Sequence, residues 1–322
     1  MKINWHNIFN DFAKIKVLII GDAMIDSYMW GSINRKSPES PIPIVDVEKH
    51  EKRLGGAANV ASNIKALGGT PILCSVIGND DKGFFDLMKA EKLSTEGILQ
   101  EDRKTTLKTR IISENKHQLR VDEEDTFSIS NESDFIQHTK HLMKDVQIVI
   151  FQDYNKGVLS KNIISELISS AKKLNIPVLV DPKKDNYWEY KGVDLFKPNS
   201  KELTESNSSD NDSLSLDSLA HIVSYQRKQL DAKAFLLTLS EKGVYIQTEN
   251  ESTHYPAFKR NIVDVSGAGD AVIATAALAL AKNINFNAIA QLANLAGGLS
   301  CESVGVNPLD KDMLLKEASR LI

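Results

Sequence analysis

The stretch KVLIIGDAMID, residues 16–26, indicates how the chain folds. Its first half, Lys16–Gly21, is a short apolar run rich in β-branched residues, which is typical of a strand buried on both faces of a parallel sheet. Similar apolar runs recur at 72–77, 146–151, 177–180 and 234–239. Stretches with helical periodicity separate them, at 56–67, 81–93, 161–174 and 216–230. This alternation predicts a three-layer α/β fold, with helices on both faces of a largely parallel sheet.

Two excursions interrupt the alternation. Residues 28–47, YMWGSINRKSPESPIPIVDV, contain two alternating runs around a proline-rich turn, and prolines suit edge strands. Residues 105–122 contain two more runs, TLKTRIIS and HQLRVD, separated by a short polar turn at 114–116. We expect these segments to form a small lid of four strands on a single domain that comprises residues 1–322. The polar stretch Ser206–Asp217 predicts a mobile surface loop.

The composition limits the classes of function. Of 322 residues, 42% are hydrophobic and 25% charged, and 39 basic against 43 acidic side chains give a formal net charge of −4. Such a charge argues against a general nucleic-acid surface but allows a local basic pocket for a phosphorylated small molecule. No window approaches the roughly 18 apolar residues of a membrane span, and the first residues do not resemble a signal peptide. We therefore expect a cytoplasmic protein with no nucleic-acid partner and no membrane partner.

The cysteines and two neighbouring histidines give no sign of a metal site. Cys74 and Cys301 lie far apart and lack CxxC spacing, so we expect buried thiols rather than a disulfide or a zinc site. His138 and His141 have i, i+3 spacing but no evident third ligand, and we expect them to be surface residues.

The string DVSGAGD, residues 264–270, is the most informative about chemistry, and it runs directly into the helix-forming stretch AVIATAALALA. Gly267, Ala268 and Gly269 would leave backbone N–H groups unpaired at the positive end of a helix dipole, where a phosphate can bind. Asp270 then falls in the first helical turn and could accept a proton from an attacking hydroxyl. The spacing suits phosphoryl transfer, and the alternative is a tight turn whose Asp complements the helix N-terminus. Neither GxxxxGK[ST] nor GxGxxG after the first strand is present.

Two motifs in this order, LGGAANVA at 54–61 and DVSGAGDA at 264–271, resemble the signatures of the ribokinase-like sugar kinases, the PfkB carbohydrate kinase family. The resemblance covers almost the whole chain. It implies a ribokinase-like three-layer α/β/α sandwich with a small β-sheet lid, and an ATP-dependent sugar kinase that uses Mg²⁺. Within the family, the strings GDAMIDSYMWG, SPESPIPIV, DYNKG and VDPK are similar to the kinases of D-glycero-D-manno-heptose 7-phosphate, the amino-terminal half of bifunctional ADP-heptose synthases. This likeness implies phosphorylation of the anomeric hydroxyl to the 1,7-bisphosphate, a precursor of ADP-heptose for lipopolysaccharide.

The resemblance also implies roles for matching residues on the nucleotide side. Asp270 corresponds to the catalytic base, and the anion hole corresponds to Gly267, Ala268 and Gly269. In KPNSKE, Asn199 and Glu202 match the family's N-x-x-E element, which organises magnesium and phosphates through water; the alternative is a helix cap beside a surface Glu. Contacts to the nucleotide are implied for Thr238, Ser240 and Gly243 in LTLSEKG and for Asn294, where a core asparagine with internal hydrogen bonds is the alternative.

The predicted sugar-binding residues follow the first strand and lie at the start of the next helix. Asp22 and Asp26 lie where open α/β sheets bind ligands, and their carboxylates can accept hydrogen bonds from sugar hydroxyls. Close approach of the substrate would involve Gly55, Gly56 and Asn59, and simple helix entry is the alternative. A phosphate on the sugar requires cations, and the candidates are Arg110 and Arg120 on the lid hairpin with Lys156 and Lys183 nearer the sheet. Solvated surface charge is the alternative for each cation.

Other features qualify the resemblance. Val265–Ser266 and Ala271–Val272 depart from the residues that are most common in the carboxy-terminal signature, but neither departure removes a catalytic group. The HxGH motif of a nucleotidyltransferase is absent, so we expect the second activity of the bifunctional enzymes not to be encoded here. The stretch SCESVGVNP, 300–308, resembles a loop that binds a monovalent cation in many relatives and implies K⁺ dependence.

Exposed lid strands predict a homodimer through residues 28–47. The open alternatives are a kinase of ribose, fructose or a hexose phosphate, and an inactive sugar or nucleotide sensor.

Overall fold

The computed structural model describes residues 3–114, 116–207 and 216–322. The strands of this part of the chain are β1 (Lys16–Gly21), β2 (Ala23–Lys36), β3 (Pro43–Gly56), β4 (Thr70–Gly78), β5 (Ile98–Glu101), β6 (Leu107–Ser113), β7 (Lys116–Glu123), β8 (Ile148–Gln152), β9 (Val178–Asp181), β10 (Leu195–Phe196), β11 (Ala234–Thr238), β12 (Val244–Gln247) and β13 (Ser252–Tyr255). Its α-helices are α1 (Trp5–Asp11), α2 (Ala57–Ala66), α3 (Phe84–Ala90), α4 (Glu132–Leu142), α5 (Lys161–Lys173), α6 (Ser200–Asn207), α7 (Leu216–Gln229), α8 (Ala268–Ala281), α9 (Phe286–Ser300) and α10 (Lys311–Leu321).

The large sheet has nine strands in the order β13-β12-β11-β10-β9-β8-β1-β4-β5. Strand β1 lies between β8 and β4 and is parallel to both, and only the β12 and β13 edge is antiparallel. The five strands and four helices predicted from the apolar runs are confirmed, with ends that differ from the prediction by at most three residues.

The two faces of the sheet carry separate cores, which is the three-layer arrangement. Along β1, Val17 and Ile19 pack in a cluster with apolar residues of α1, α2, α3, α8, α9 and α10. Leu18 and Ile20 point to the opposite face and pack with residues of α4, α5, α6 and α7. All four side chains are fully buried, because a strand covered by helices on both faces has no solvent side. This burial explains why the strand reads as a continuous apolar run.

The lid is a four-stranded sheet in the order β3-β2-β6-β7, formed by the two predicted excursions. Its first hairpin is longer than the predicted 28–47, since β2 begins at Ala23 and β3 continues to Gly56. The sequence 48–53, EKHEKR, shows no apolar alternation, but its backbone pairs with β2. Backbone pairing therefore extends β2 and β3 beyond the ends that the apolar pattern predicts.

The predicted loop at 206–217 is shorter than expected at both ends, because α6 includes residues 206–207 and α7 starts at 216. Residues 208–215 of that loop, and Asn115 in the predicted hairpin turn, lie outside the described residues. Both cysteines are free and buried, as expected. Among the described residues no helix is long and apolar enough to cross a bilayer.

Both glycine motifs become helix starts at one edge of the large sheet. Gly56 caps α2 and Gly267 caps α8, each with a positive φ, 57° and 79° respectively. The carboxyl ends of β1, β8 and β9 reach the same edge, as a parallel sheet requires. The two motifs, more than two hundred residues apart, therefore meet beneath the lid.

Candidate active site

A cavity of about 310 Å³ lies where the lid meets this edge. Seven predicted site residues line it: Asp26, Gly56, Arg110, Arg120, Lys156, Gly267 and Asp270. Five lining residues were missed in the sequence: Met24, Lys108, Tyr154, Ser266 and Val306. Lys108 could have been found, because it lies two residues before Arg110 on a strand, where side chains alternate between faces. A larger surface groove is lined by Phe85, Thr95 and two lysines, but by no carboxylate or histidine.

Asp270 is the buried acid of the cavity, with only 2% of its surface exposed. Its Oδ1 accepts hydrogen bonds from the Tyr154 hydroxyl at 2.8 Å and from Gln152 Nε2 at 3.0 Å, and its Oδ2 accepts one from Asn59 Nδ2 at 2.7 Å. Burial raises the pKa of the Asp270 carboxyl to about 7, and the Asn59 and Tyr154 hydrogen bonds oppose that rise. A carboxyl with this pKa is suited to general-base catalysis near neutral pH.

The glycines of the second motif shape the start of α8. A Cβ on Gly267 would lie 3.0 Å from Asn59 Nδ2 and 3.1 Å from Val306 Cγ1, so both the positive φ and the space require glycine. Ala268, Gly269 and Asp270 form the first turn, where backbone N–H groups lack intrahelical acceptors. A Cβ on Gly269 would lie 3.6 Å from the Lys197 ammonium, which is buried and paired with Asp181 at 2.9 Å. The predicted anion hole thus has a buried cation close beside it.

Asp26 and Arg110 form a buried ion pair at the lid base. Burial alone would lower the pKa of Arg110, but the Asp26 charge and hydrogen bond more than offset it, so the pKa is raised. The Arg110 guanidinium lies 5.5 Å from the Tyr28 ring centroid. A Cβ on Gly55 would lie 2.2 Å from Asp26 Oδ2, so the first glycine motif leaves room for this carboxylate.

Three further cations at the lid end of the cavity share two carboxylates. Lys108 Nζ lies 3.0 Å from both Asp122 and Glu124. Lys156 pairs with Glu124 at 2.7 Å, and Arg120 pairs with Asp122 at 2.9 Å. Three positive and two negative side chains leave one net positive charge in this cluster, which we call the lid cation cluster (Lys108, Arg120, Lys156, Asp122 and Glu124).

Asn199 and Glu202 cap α6 reciprocally. Asn199 N donates to Glu202 Oε2 at 2.8 Å, and Glu202 N donates to Asn199 Oδ1 at 2.9 Å, which is a capping box. Glu202 is buried rather than on the surface, and it forms an ion pair with Lys183. Lys183 does not line the cavity. Its ammonium lies 5.3 Å from the ring centroid of Tyr154, which does line the cavity, so a role for Lys183 toward the sugar stays a prediction.

Magnesium at Glu202 stays a prediction, since Glu202 Oε2 accepts from the Asn199 N–H and Oε1 pairs with Lys183. Carboxylate and amide oxygens are the hard ligands that Mg²⁺ prefers, and the ion usually keeps several waters. Across 3–114, 116–207 and 216–322, no group of three or more His, Cys, Asp or Glu side chains could hold a metal. His138 is half-buried and contacts the Glu96 carbonyl oxygen at 2.6 Å, and His141 is exposed.

Asp22 does not present its carboxylate to the cavity. Its Oδ2 accepts hydrogen bonds from the backbone N–H groups of Tyr154 and Lys156, at 2.8 and 3.1 Å, and its Oδ1 accepts one from Val158 at 3.0 Å. Burial raises the pKa of Asp22, against these three hydrogen bonds. The carboxylate thus anchors the DYNKG loop, 153–157, and a contact of Asp22 with the sugar stays a prediction.

Four predicted nucleotide residues lie apart from the cavity lining: Thr238 at the end of β11, Ser240 and Gly243 in the turn to β12, and Asn294 on α9. Thr238 forms a β-bridge with Asn199, and Ser240 follows in a left-handed turn with φ 52°. A Cβ on Gly243 would lie 2.1 Å from the Tyr255 carbonyl oxygen, so close packing explains this glycine. Asn294 Nδ2 donates to the Pro256 carbonyl oxygen at 2.9 Å, which matches the alternative of a core asparagine. Nucleotide contact by these four residues stays a prediction.

The sequence matches a known protein family and several proteins of known name. Residues 14–312 match the pfkB family carbohydrate kinase profile. Over 292 residues the chain is 39% identical to the bifunctional protein HldE of Campylobacter jejuni. The aligned region covers 91% of this chain and 62% of that protein. HldE proteins of Aliarcobacter butzleri and Geobacter sulfurreducens are 38% and 35% identical, over 96% and 94% of this chain. The chain thus spans less than two thirds of the length of these relatives.

Solved structures share the fold. Phosphofructokinase-2 from Escherichia coli, in complex with substrates and products, superposes with a TM-score of 0.79 at 17% identity, covering 95% of this chain and 99% of that one. Arabidopsis thaliana ribokinase, complexed with ribose and ATP, superposes with a TM-score of 0.73 at 16% sequence identity. The match covers 94% of this chain and 98% of that one. These likenesses establish the predicted ribokinase-like fold. From the family match over most of its length, the chain belongs to the pfkB family of carbohydrate kinases and is a phosphotransferase.

Proposed function

We propose that the chain is an ATP-dependent kinase that phosphorylates the anomeric hydroxyl of D-glycero-D-manno-heptose 7-phosphate to the 1,7-bisphosphate. One observation carries the proposal: the buried carboxylate of Asp270 and the three cations of the lid cation cluster line the same cavity. A sugar that carries both a phosphate and an acceptor hydroxyl offers a partner to each of them. The heptose itself rests on the likeness of the motifs at 21–31, 37–45, 153–157 and 180–183 and on the HldE relatives.

The proposed reaction is a direct transfer. The acceptor hydroxyl gives its proton to Asp270 while its oxygen bonds to the γ-phosphorus of ATP. The bond between that phosphorus and the β,γ-bridging oxygen breaks, and ADP leaves with the electron pair. Backbone N–H groups at the start of α8 stabilise the negative oxygens of the transferred group, and buried Lys197 adds positive charge nearby. Asp270 then releases its proton to solvent.

Magnesium would neutralise part of the charge on the nucleotide phosphates when bound. Glu202 and Asn199 are the residues that would hold it, through water. We extend the proposal to K⁺ at the loop 300–308, on the resemblance of SCESVGVNP to a loop that binds a monovalent cation. We place the reaction in the cytoplasm, because ATP and sugar phosphates are its substrates.

The lid cation cluster would bind the 7-phosphate by exchange of partners. Each cation is paired in the described state, so a phosphate would replace Asp122 or Glu124 rather than fill an uncompensated site. Charge-assisted hydrogen bonds to phosphate are among the stronger polar contacts. The same cluster suits other sugar phosphates, so a hexose phosphate kinase is the second candidate.

A homodimer through the lid is also proposed. Four apolar lid residues are between 45% and 58% exposed: Ile42, Val47, Leu119 and Val121. An exposed apolar sheet is a common pairing surface. Sedimentation at micromolar concentration should show a dimer, and a monomer only would refute this part.

A substrate panel tests the function. Purified protein with Mg-ATP would be assayed on D-glycero-D-manno-heptose 7-phosphate, ribose, fructose and fructose 6-phosphate, with product mass as the readout. Selective conversion of the heptose phosphate is expected. Conversion of another sugar phosphate would support the second candidate, and turnover of unphosphorylated sugars alone would contradict both. ATP binding without any turnover would favour the sensor alternative.

A further inference from the structure

We propose that Gln152 and Tyr154 are positioning residues for Asp270: together they hold Oδ1 of its carboxylate, so that Oδ2 is the atom that takes the proton of the acceptor. The inference deepens the proposed function and rests on it. Neither residue belongs to the two glycine motifs, and both lie where β8 ends and the DYNKG loop begins.

The hydrogen bonds distinguish the two oxygens of Asp270. Each carboxylate oxygen has about two acceptor sites. Oδ1 has both filled, by Gln152 Nε2 at 3.0 Å and by the Tyr154 hydroxyl at 2.8 Å. Oδ2 accepts only from Asn59 Nδ2, at 2.7 Å, among the described donors. One acceptor site therefore stays open on Oδ2, in a residue that lines the cavity.

Gln152 can only donate at this place. Its Nε2 bridges two carboxylates, Asp270 Oδ1 and Asp181 Oδ2, the latter at 3.1 Å. An amide oxygen turned toward these carboxylates would be repelled by both, so the orientation of the side chain is fixed. Gln152 Oε1 is buried without a hydrogen-bond partner in the described part of the chain. An unsatisfied buried oxygen is destabilising, so stability alone does not account for a glutamine here.

Tyr154 is held from three sides. Its backbone N–H donates to Asp22, its ring lies under the Lys183 ammonium, and its hydroxyl reaches Asp270. Burial and the nearby Asp270 charge raise the pKa of Tyr154 well above its usual value, so the hydroxyl stays protonated and acts as a donor. Hydrogen bonds from neutral donors stabilise the ionised carboxylate without adding charge to the cavity.

The test is the pH dependence of kcat/KM for the acceptor, whose acid limb reports the ionisation of the base. In Tyr154→Phe we expect the acid limb to move up by about one pH unit, because the ionised carboxylate loses one donor. Gln152→Met should move it in the same direction. Tyr190→Phe is the matched control: its hydroxyl donates to a different buried carboxylate, Asp153 Oδ2, at 2.6 Å, and its removal should leave the limb in place.

A Tyr154→Phe profile that is scaled down at every pH but keeps the wild-type midpoint would overturn the inference. A readout independent of turnover is the carbon-13 carboxyl signal of Asp270, identified by its absence from Asp270→Asn. This signal should titrate at higher pH in Tyr154→Phe than in the wild type, and an unchanged titration would also overturn the inference. If the wild type phosphorylates no acceptor, the proposed function fails, whereas the titration still decides this inference.

Discussion

The two ends of the cavity use charge in opposite ways. At the Asp270 end, one carboxylate is 2% exposed and takes its hydrogen bonds from neutral groups, the side chains of Asn59, Gln152 and Tyr154. At the lid end, the cluster of Lys108, Arg120 and Lys156 is already paired with carboxylates and is partly open to solvent. The first arrangement keeps a charge in place and raises its proton affinity. The second keeps charges exchangeable.

We expect this difference to separate catalysis from recognition of the substrate. A buried charge without a charged partner touching it is costly, and the cost appears as the raised pKa of Asp270. Partly exposed ion pairs contribute little to stability, so exchanging a carboxylate for a phosphate is a small change in energy. We therefore expect changes at the Asp270 end to lower kcat and changes at the lid end to raise KM.

The largest effect is expected for Asp270→Asn. Without a base, kcat should fall by roughly 10³-fold. Nucleotide affinity, measured by equilibrium dialysis with Mg-ATP, should change little, because the backbone N–H groups of the α8 start remain. Near-normal turnover would remove Asp270 from its role.

Gly267→Ala should lower kcat by about 100-fold, because the added Cβ meets Asn59 and Val306 and displaces the anion hole. Gly83→Ala is the matched control, since Gly83 also caps a helix in a left-handed conformation, φ 89°, but has open space around its Cβ position. Both variants should lose about 1 kcal/mol of unfolding free energy from the strained φ. Equal turnover in the two variants would contradict an anion hole at Gly267.

Burial of Asp270 should be visible in stability. Its pKa rises from the ordinary aspartate value of 3.8 to about 7 on folding, so the folded state binds the proton more tightly, and the stability that this group contributes is lost as pH rises toward 7. Between pH 5.5 and pH 8 the wild type should lose about 2 kcal/mol that Asp270→Asn does not lose. Urea unfolding of both proteins at the two pH values measures the difference. If the free energy of unfolding depends on pH in the same way in both proteins, the pKa of the Asp270 carboxyl is not raised by folding.

Lys108→Met should raise KM for the phosphorylated sugar about tenfold and leave kcat nearly unchanged, because one charge-assisted contact is lost. Arg35→Ala is the control on the same lid, since Arg35 pairs with Asp46 and does not line the cavity. Steady-state kinetics with a saturating nucleotide separates the two constants. A fall in kcat alone would place Lys108 in the chemistry rather than in recognition.

The positions of the strands and helices could be predicted well from the sequence, because buried faces produce periodic patterns of apolar residues. Runs such as Lys16–Gly21 and the glycines before α2 and α8 gave the strands, the helix starts and the position of Asp270. The lid was predicted too short, because charged residues 48–53 are paired through backbone atoms that leave no side-chain pattern.

Contacts distant in sequence were harder to predict. Gln152 and Tyr154 meet Asp270 across more than a hundred residues, and no local pattern marks them as its partners. Asp22 stands at the carboxyl end of a strand as a ligand residue would, yet three backbone N–H groups take up its carboxylate. Lys183 was grouped with the sugar cations because it is basic, but it pairs with Glu202 of α6 and does not line the cavity.

The most direct test compares D-glycero-D-manno-heptose 7-phosphate with the same heptose lacking the phosphate, as kcat/KM in the wild type and in Lys108→Met. If the lid end recognises phosphate and the Asp270 end performs the chemistry, removal of the phosphate should lower kcat/KM by about 100-fold or more in the wild type and by less in Lys108→Met. Equal kcat/KM for the two sugars in the wild type would contradict the account.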